Sequence, residues 1–287
     1  MFQSFVIIGQ NSTLGSEIEK IAGQIEATVG VGVLNPQSGE KFVLHDDHHF
    51  PMQSVYKFPL AMAVLKQIDD GLLSLDHSIY ITREDLLPDT WSPIRDQNPE
   101  GNFDMTISEL LRYTVSQSDN NGCDVLFRLS GGPTWVNGFI HESGITGMEI
   151  ATTEEEMHRN WDIQYSNWST PSAMLDLLNV FWKKTVLSQQ SSDFLWKIMV
   201  ETNTGPNRIR GILPEEAIVA HKTGSSGTND EGITAATNDA GIMLLEDGDA
   251  IAVVVFVSDS KAGNMLNEKV IAEISKAAWD YYSHSGN

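Results

Sequence analysis

The chain has 287 residues, a net charge of −21 and an apolar share of 41%. That is enough for one large domain or two closely packed ones with a sizeable core. Such acidity excludes nucleic acid and anionic membranes as partners, because both require a basic face.

Near the start, Phe5-Val6-Ile7-Ile8 is too short for the apolar stretch of a secretion signal and has no basic residues before it. No intact signal and no membrane span are expected. Residues 16–26 show helical spacing (Ile18, Ile21, Ala22, Ile25), and 27–36 alternate as a strand closed by Asn35-Pro36. Lys41 to Leu44 reads as the hairpin partner of that strand, across the turn Pro36-Gln37-Ser38-Gly39. His45-Asp46-Asp47-His48-His49 lacks a spacing that turns several ligands to one point, so it reads as a solvated loop and not as a metal site.

The middle of the chain is helical in pattern, with helices expected at 54–70, 107–115 (capped by Thr106 or Ser108), 120–130, 133–142, 170–184 and 191–202. Cys123, in the third of these, is the single cysteine; it excludes an internal disulfide and reads as a small buried hydrophobe. The stretches 85–104 and 151–169 are too long and irregular to be plain connectors, and such loops are usually functional. Strand patterns return at 217–224, 233–244 and 250–259, the last two joined by the hairpin signal Glu246-Asp247-Gly248-Asp249. A final amphipathic helix runs from Glu268 to Tyr282.

These elements predict an α/β molecule of the two-lobed α+β kind. Residues 16–53 and 204–287 form a discontinuous lobe, an antiparallel sheet flanked by terminal helices. Residues 54–203 form an all-helical lobe, and the site lies in the cleft between the two.

The stretch 52–68 organises the rest. It is apolar on all sides from Phe58 onward, as in a helix buried all round, yet Lys57 opens it three residues after Ser54. Residues so spaced on a helix are neighbours, so the ammonium can reach the hydroxyl. Pro59 suits a first helical turn, which puts Ser54 at the positive end of the helix dipole among unpaired amides. An amine beside a hydroxyl, with free donors around both, is the makeup of an activated nucleophile. The pattern Ser-x-x-Lys is common, and a second copy, Ser258-Asp259-Ser260-Lys261, reads as a surface turn after a strand.

Two further motifs follow in order, Ser118-Asp119-Asn120 between helices and Lys222-Thr223-Gly224 ending a strand. Together the three form the signature of class A serine β-lactamases and penicillin-binding proteins. With the surrounding PMQSVYK, TWSPIR, YTVSQSDNNGCD and AHKTGSSG, nearly the whole chain resembles the PER-like extended-spectrum branch of class A serine β-lactamases. The resemblance implies a monomeric hydrolase of penicillins and cephalosporins, oxyimino-cephalosporins included. It implies a small-molecule β-lactam substrate, no cofactor or metal, and a periplasmic or secreted location. Ser54 is then the nucleophile, Lys57 its proton acceptor, and Ser118 the proton relay to the leaving nitrogen. The backbone amides of Ser54 and Ser225 form the oxyanion hole. Lys222, Thr223 and Ser225, with Arg208 behind them, hold the substrate carboxylate; this is the local basic cluster that an acidic surface requires for an anionic substrate. Asn120 binds the substrate's acylamide, and Asp119 braces the turn.

Hydrolysis also needs a base to activate water, which the family supplies from a glutamate four residues before an asparagine. Here His158 stands at the asparagine position, so counting back selects Glu154 from Glu154-Glu155-Glu156 and leaves His158 as a candidate for positioning the water. Asn167 replaces an aspartate that pins this loop in many relatives, so a looser loop and a roomier site are expected. Trp91 reads as a packing or entrance-lining aromatic, Tyr113 as packing, and His221 as structural. Two other readings share the first three motifs: a penicillin-binding peptidase that stalls as the acyl-enzyme, and a non-catalytic penicillin sensor. The loop glutamate favours hydrolysis, and sensors are normally joined to a membrane segment.

Overall fold

Valine-rich runs from both ends of the chain meet in one sheet. The computed structural model describes residues 6–7 and 13–284, so Phe5 and Ile8 of the early apolar run lie outside the described residues. The chain begins with β1 (Val6–Ile7), α1 (Thr13–Ala22), β2 (Thr28–Leu34), β3 (Glu40–Leu44) and β4 (Phe50–Pro51). A 3₁₀ turn (Gln53–Tyr56) leads into α2 (Lys57–Asp69), followed by β5 (Ser78–Ile81), α3 (Pro93–Gln97), β6 (Phe103–Thr106), α4 (Ile107–Ser116), α5 (Asn120–Ser130) and α6 (Gly132–Glu142). Then come β7 (Met148–Glu149), α7 (Glu154–Met157), a 3₁₀ turn (Trp161–Ser166), β8 (Trp168–Ser169), α8 (Pro171–Trp182) and α9 (Gln189–Val200). The chain finishes with β9 (Ile218–Ser225), β10 (Thr234–Leu244), β11 (Ala250–Ser260) and α10 (Asn264–His284).

The main sheet has the order β1-β3-β2-β11-β10-β9 and is antiparallel except at one edge. There β1, a two-residue edge strand outside the expected elements, pairs parallel to β3. The chain crosses over through α1 before it returns, which is the kind of connection parallel pairing requires. Both faces of the sheet are covered, so β11 is apolar at successive positions and not at alternate ones. Val253, Val255 and Val257 join Leu14, Ile18 and Ile274 of α1 and α10. Val254 and Phe256 face the helices, packing with Leu175 and Leu178 of α8. At the centre of the helical part, Phe58 to Leu65 of α2 are buried on every side.

The long helices after residue 50 follow their sequence signals closely, whereas α1 spans Thr13–Ala22 and not 16–26. Thr106, not Ser108, caps α4 in a reciprocal capping box with Glu109. The last helix before the sheet begins at Gln189 and not at 191, because Ser188 caps it by accepting from Ser191 N at 3.2 Å. The stretch 85–104 holds the short helix α3, with Ser92 at its cap and Pro93 at its first position, and β6 pairs with β5 as a two-stranded ribbon. Residues 151–169 are closed at the neck by β4, β8 and β7, where Ser169 sits opposite both Phe50 and Met148.

The second Ser-x-x-Lys is not a surface turn. Strand β11 runs on through Ser260, which pairs with Thr234, and both Ser258 and Ser260 are buried. Ser260 Oγ donates to Asn267 Oδ1 at 2.7 Å, while Lys261 turns outward to Glu26. The His45–His49 side chains diverge: His45 bonds the Val29 carbonyl, Asp46 accepts from Ser172 N, and His49 stacks on Trp168. Cys123 is buried, its thiol 3.6 Å from the Tyr56 hydroxyl. Among the described residues, no helix is long and apolar enough to cross a membrane.

Candidate active site

Helix α2 starts three residues later than the expected residue 54, and that places Ser54 in the 3₁₀ turn and Lys57 at the first α-helical position. Pro59 falls in the first α-turn, where its missing N–H is among those with no intrahelical partner. The turn is held from outside. Asn238 of β10 donates to the carbonyls of Pro51 (2.7 Å) and Met52 (3.2 Å), and Gln53 donates to Gln164 in the irregular loop at 2.7 Å. Gln53 takes a positive φ of 48°, a backbone state that surrounding contacts must maintain.

Lys57 is fully buried. An ammonium carries three N–H donors, and here they go to Ser54 Oγ (3.0 Å), the Ser118 carbonyl (2.9 Å) and Asn120 Oδ1 (2.5 Å). Glu154 Oε1 lies 2.9 Å from the same nitrogen but accepts no aligned hydrogen bond, since the donors are spent elsewhere. One buried amine thus touches the hydroxyl, the Ser118–Asn120 turn and the loop carboxylate.

Ser118 adopts φ 60° in the tight turn between α4 and α5. Its hydroxyl accepts from Lys222 Nζ at 2.9 Å, and that nitrogen also donates to the Thr223 carbonyl. Burial, with the Lys57 charge nearby, pushes the Lys222 ammonium well below the usual lysine range, against the pull of Asp239 and Glu154. Asp119 caps α5 and accepts from Gly122 N (2.8 Å), Ile94 N (2.7 Å) and Ser92 Oγ (3.0 Å), which agrees with a bracing role. Burial nonetheless raises its carboxyl above the usual range. Asn120 gives one N–H to Thr90 Oγ1 at 2.6 Å.

The three consecutive glutamates part company on α7. Glu154 turns inward and is 5% exposed. Glu155 faces solvent, and Glu156 closes a capping box with Thr153. The register chosen from sequence therefore coincides with the one buried glutamate of the three. Asp124, which sequence reasoning misses, accepts from the backbone N–H of both Glu154 and Glu155 at 2.8 Å. Burial, and then the Glu154 carboxylate, push its carboxyl up to about 7. The available signal was its place four residues after Asn120, on the same helix face. His158 caps α7 with Nδ1 2.7 Å from the Glu154 carbonyl, and its Nε2 lies 3.4 Å from Thr90 Oγ1.

The expected looser loop is contradicted. Asn167 is fully buried; its Oδ1 accepts from Ala151 N (2.8 Å) and Thr152 N (3.0 Å), and its Nδ2 donates to the Thr152 carbonyl (2.9 Å). A neutral amide supplies both a donor and an acceptor, so it fastens the two ends of the loop with no ion pair.

On the opposite wall, Gly224 lets β9 press against the nucleophile's turn: a Cβ there would come within 2.4 Å of the Met52 carbonyl and 3.2 Å of Ser54 N. Arg208 lies beneath this wall, donating to the carbonyls of Gly224 (2.9 Å) and Asn238 (2.8 Å) and to Ser225 Oγ (2.7 Å). Thr223 Oγ1 is 2.6 Å from Thr204 Oγ1. The cleft, of about 340 Å³, is bordered by Ser54, Asn120, Glu154 and Ser225, with Asn160 and Trp161 on its loop side. His221 is buried with Nδ1 2.9 Å from both oxygens of Asp239, and Tyr113 bonds Gln97. Trp91 is 60% exposed, with its indole N–H on the Gln117 carbonyl.

Residues 13–282 match the family described as the Beta-lactamase enzyme family. The chain is 48% identical over 275 residues to β-lactamase VEB-1 of Pseudomonas aeruginosa, covering 95% of this chain and 91% of that one. The chain belongs to the class A β-lactamase family. A second relative, the extended-spectrum β-lactamase PER-1 of the same organism, is 42% identical over 280 residues, 98% of this chain and 91% of the relative. The crystal structure of TLA-1 extended-spectrum β-lactamase superposes with a TM-score of 0.93 at 51% identity, covering 94% of this chain and 98% of the other. As a class A β-lactamase, the protein hydrolyses β-lactams, the activity by which such enzymes confer resistance.

Proposed function

We propose that hydrolysis runs through a Ser54 acyl-enzyme that Glu154 helps to break down. The observation that carries this reading is Lys57 Nζ standing 3.0 Å from Ser54 Oγ and 2.9 Å from Glu154 Oε1, which joins nucleophile and carboxylate through one amine. In acylation Ser54 Oγ bonds the lactam carbonyl carbon, its proton passes to Glu154, or to Lys57 once that ammonium has given a proton to Glu154, and the C–N bond breaks. The departing nitrogen takes a proton from Ser118, whose hydroxyl is supplied by Lys222. The amides of Ser54 and Ser225 hold the oxyanion; one such donor is typically worth about 10²–10³ in rate. In deacylation water attacks the ester carbon, Glu154 takes the water's proton, and the Ser54 oxygen leaves and is reprotonated.

Lys222, Thr223 and Ser225 hold the substrate carboxylate, with Arg208 acting from beneath by orienting Ser225 and adding positive charge. Asn120 keeps a second N–H for the acylamide oxygen. His158 acts by holding the single turn of α7, and so Glu154, in place. Oxyimino-cephalosporins are substrates, a reading supported by relatives whose names carry the extended spectrum and not by a loose loop. Absent turnover of cefotaxime beside brisk turnover of benzylpenicillin sinks that part. The enzyme works as a monomer on small β-lactams, without nucleic acid, after export to the periplasm or the medium. Residues 54–203 act as a helical lobe and 16–53 with 204–287 as an α/β lobe, meeting at the cleft.

A chromogenic cephalosporin tests the route. The parent gives steady colour; Glu154→Ala gives a stoichiometric burst and then turnover lowered by about 10²–10⁴. Full steady turnover in that variant removes Glu154 as the base. A burst alone from the parent would favour the stalled peptidase.

A further inference from the structure

We propose that a second cleft, separate from the catalytic one, binds a neutral aromatic molecule bearing one hydrogen-bonding group, a phenol in its simplest form. It lies where the end of α8 meets α9 and the end of β10, with a volume of about 420 Å³. Small-molecule sites typically span about 300–1,000 Å³. Phe181, Trp182, Trp196 and Leu244 line it. The two indole rings lie 5.7 Å apart and tilted by 55°, so they present two faces to one occupant.

The apolar wall holds one polar group. Ser192 borders the cleft, is 1% exposed, and its hydroxyl has no hydrogen-bond partner. A buried hydroxyl without a partner is disfavoured, and a ligand oxygen or hydroxyl that shifts the side chains now covering it from the cleft would satisfy it. At the mouth, Lys184 and Asp193 pair at 2.9 Å, and Gln189 donates to both Asp193 oxygens at 2.8 Å. The rim charges thus cancel and offer nothing to an ionic ligand. The chain's net charge of −21 further opposes an anion. A protein partner fits less well, since a stable interface needs roughly 800 Å² per side and this concavity is broken by a charged rim.

Calorimetry with 2-naphthol on the full chain tests the assignment. Binding is expected with a dissociation constant in the micromolar range to about 1 mM. Ser192→Val should weaken 2-naphthol about fivefold to tenfold, as loss of one hydrogen bond does, yet leave 2-methylnaphthalene unchanged. Leu244→Trp, which fills the cleft from the strand end, should abolish binding of both. Turnover of a chromogenic cephalosporin should stay at the parental level in both variants. The proposal is overturned by no binding up to the solubility limit, by unchanged affinity in Leu244→Trp, or by naphthalene-2-sulfonate binding as well as 2-naphthol. Self-association of the parent that Leu244→Trp removes would give the cleft to a second copy and equally overturn it.

Discussion

On the sheet side of the cleft, Lys222, Thr223 and Ser225 are presented by a strand paired from Ile218 to Ser225 with β10, so each position is set by a backbone ladder. On the loop side Glu154 opens a helix of one turn, and its place depends on side chains: Asp124 under two amides, Asn167 across the neck and Thr153 at the cap. The sheet wall is therefore indifferent to most side-chain changes and vulnerable where backbones touch. The loop wall can be loosened by a single substitution far from the substrate. Both walls converge on the same two buried amines, so either failure reads out as lost turnover.

The sharpest test of the sheet wall is Gly224→Ala. The added methyl meets the Met52 carbonyl at 2.4 Å, and two backbones must separate. We expect kcat/KM to fall by about 100-fold or more and stability by about 1–3 kcal/mol, read by steady-state kinetics and urea denaturation. Parental kinetics would show that the walls can part without harm.

Asn167→Ala tests the loop wall and should be milder. It leaves the part-buried amides of Ala151 and Thr152 without the acceptor that ties the loop's two ends, for a loss of about 1–2 kcal/mol. Deacylation, followed by stopped flow, should slow more than acylation, because Glu154 and not Ser54 loses its support. Equal slowing of both steps would mean that the loop does not act through Glu154.

A third test is a dependence of stability on pH. The folded-state pKa of Asp124 is raised to about 7 from an ordinary 3.8, so its protonated form stabilises the fold at low pH. That contribution is lost as pH rises from about 4 to about 7. Asp124→Asn should therefore gain stability relative to the parent over that window and level off above it, measured as Tm against pH. A flat difference would place the titration elsewhere in the Asp124–Glu154 pair.

The long helices, the three strands after residue 215 and the three short motifs were legible because periodicity and order carry them. Glu154 was legible only by register, and the structure separates it from Glu155 by burial, which spacing along a one-turn helix does not reveal. Asp124 reads in sequence as an ordinary helical residue; only the approach of α7 makes it an acceptor for two amides. Asn167 looked like a lost ion pair because the sequence does not show that an amide can bind both ends of a loop. The 3₁₀ start at Ser54 was hidden for a similar reason: it is imposed by Asn238 and Gln164, distant in sequence.

The lone thiol of Cys123 lies sealed beneath α2 against the Tyr56 hydroxyl, and burial raises its pKa well above the ordinary thiol range. A thiol-modifying dye can therefore label the folded protein only during excursions that unseat the central helix. The labelling rate becomes a clock for breathing of the helical interior, one mark per molecule, with no probe to be engineered in.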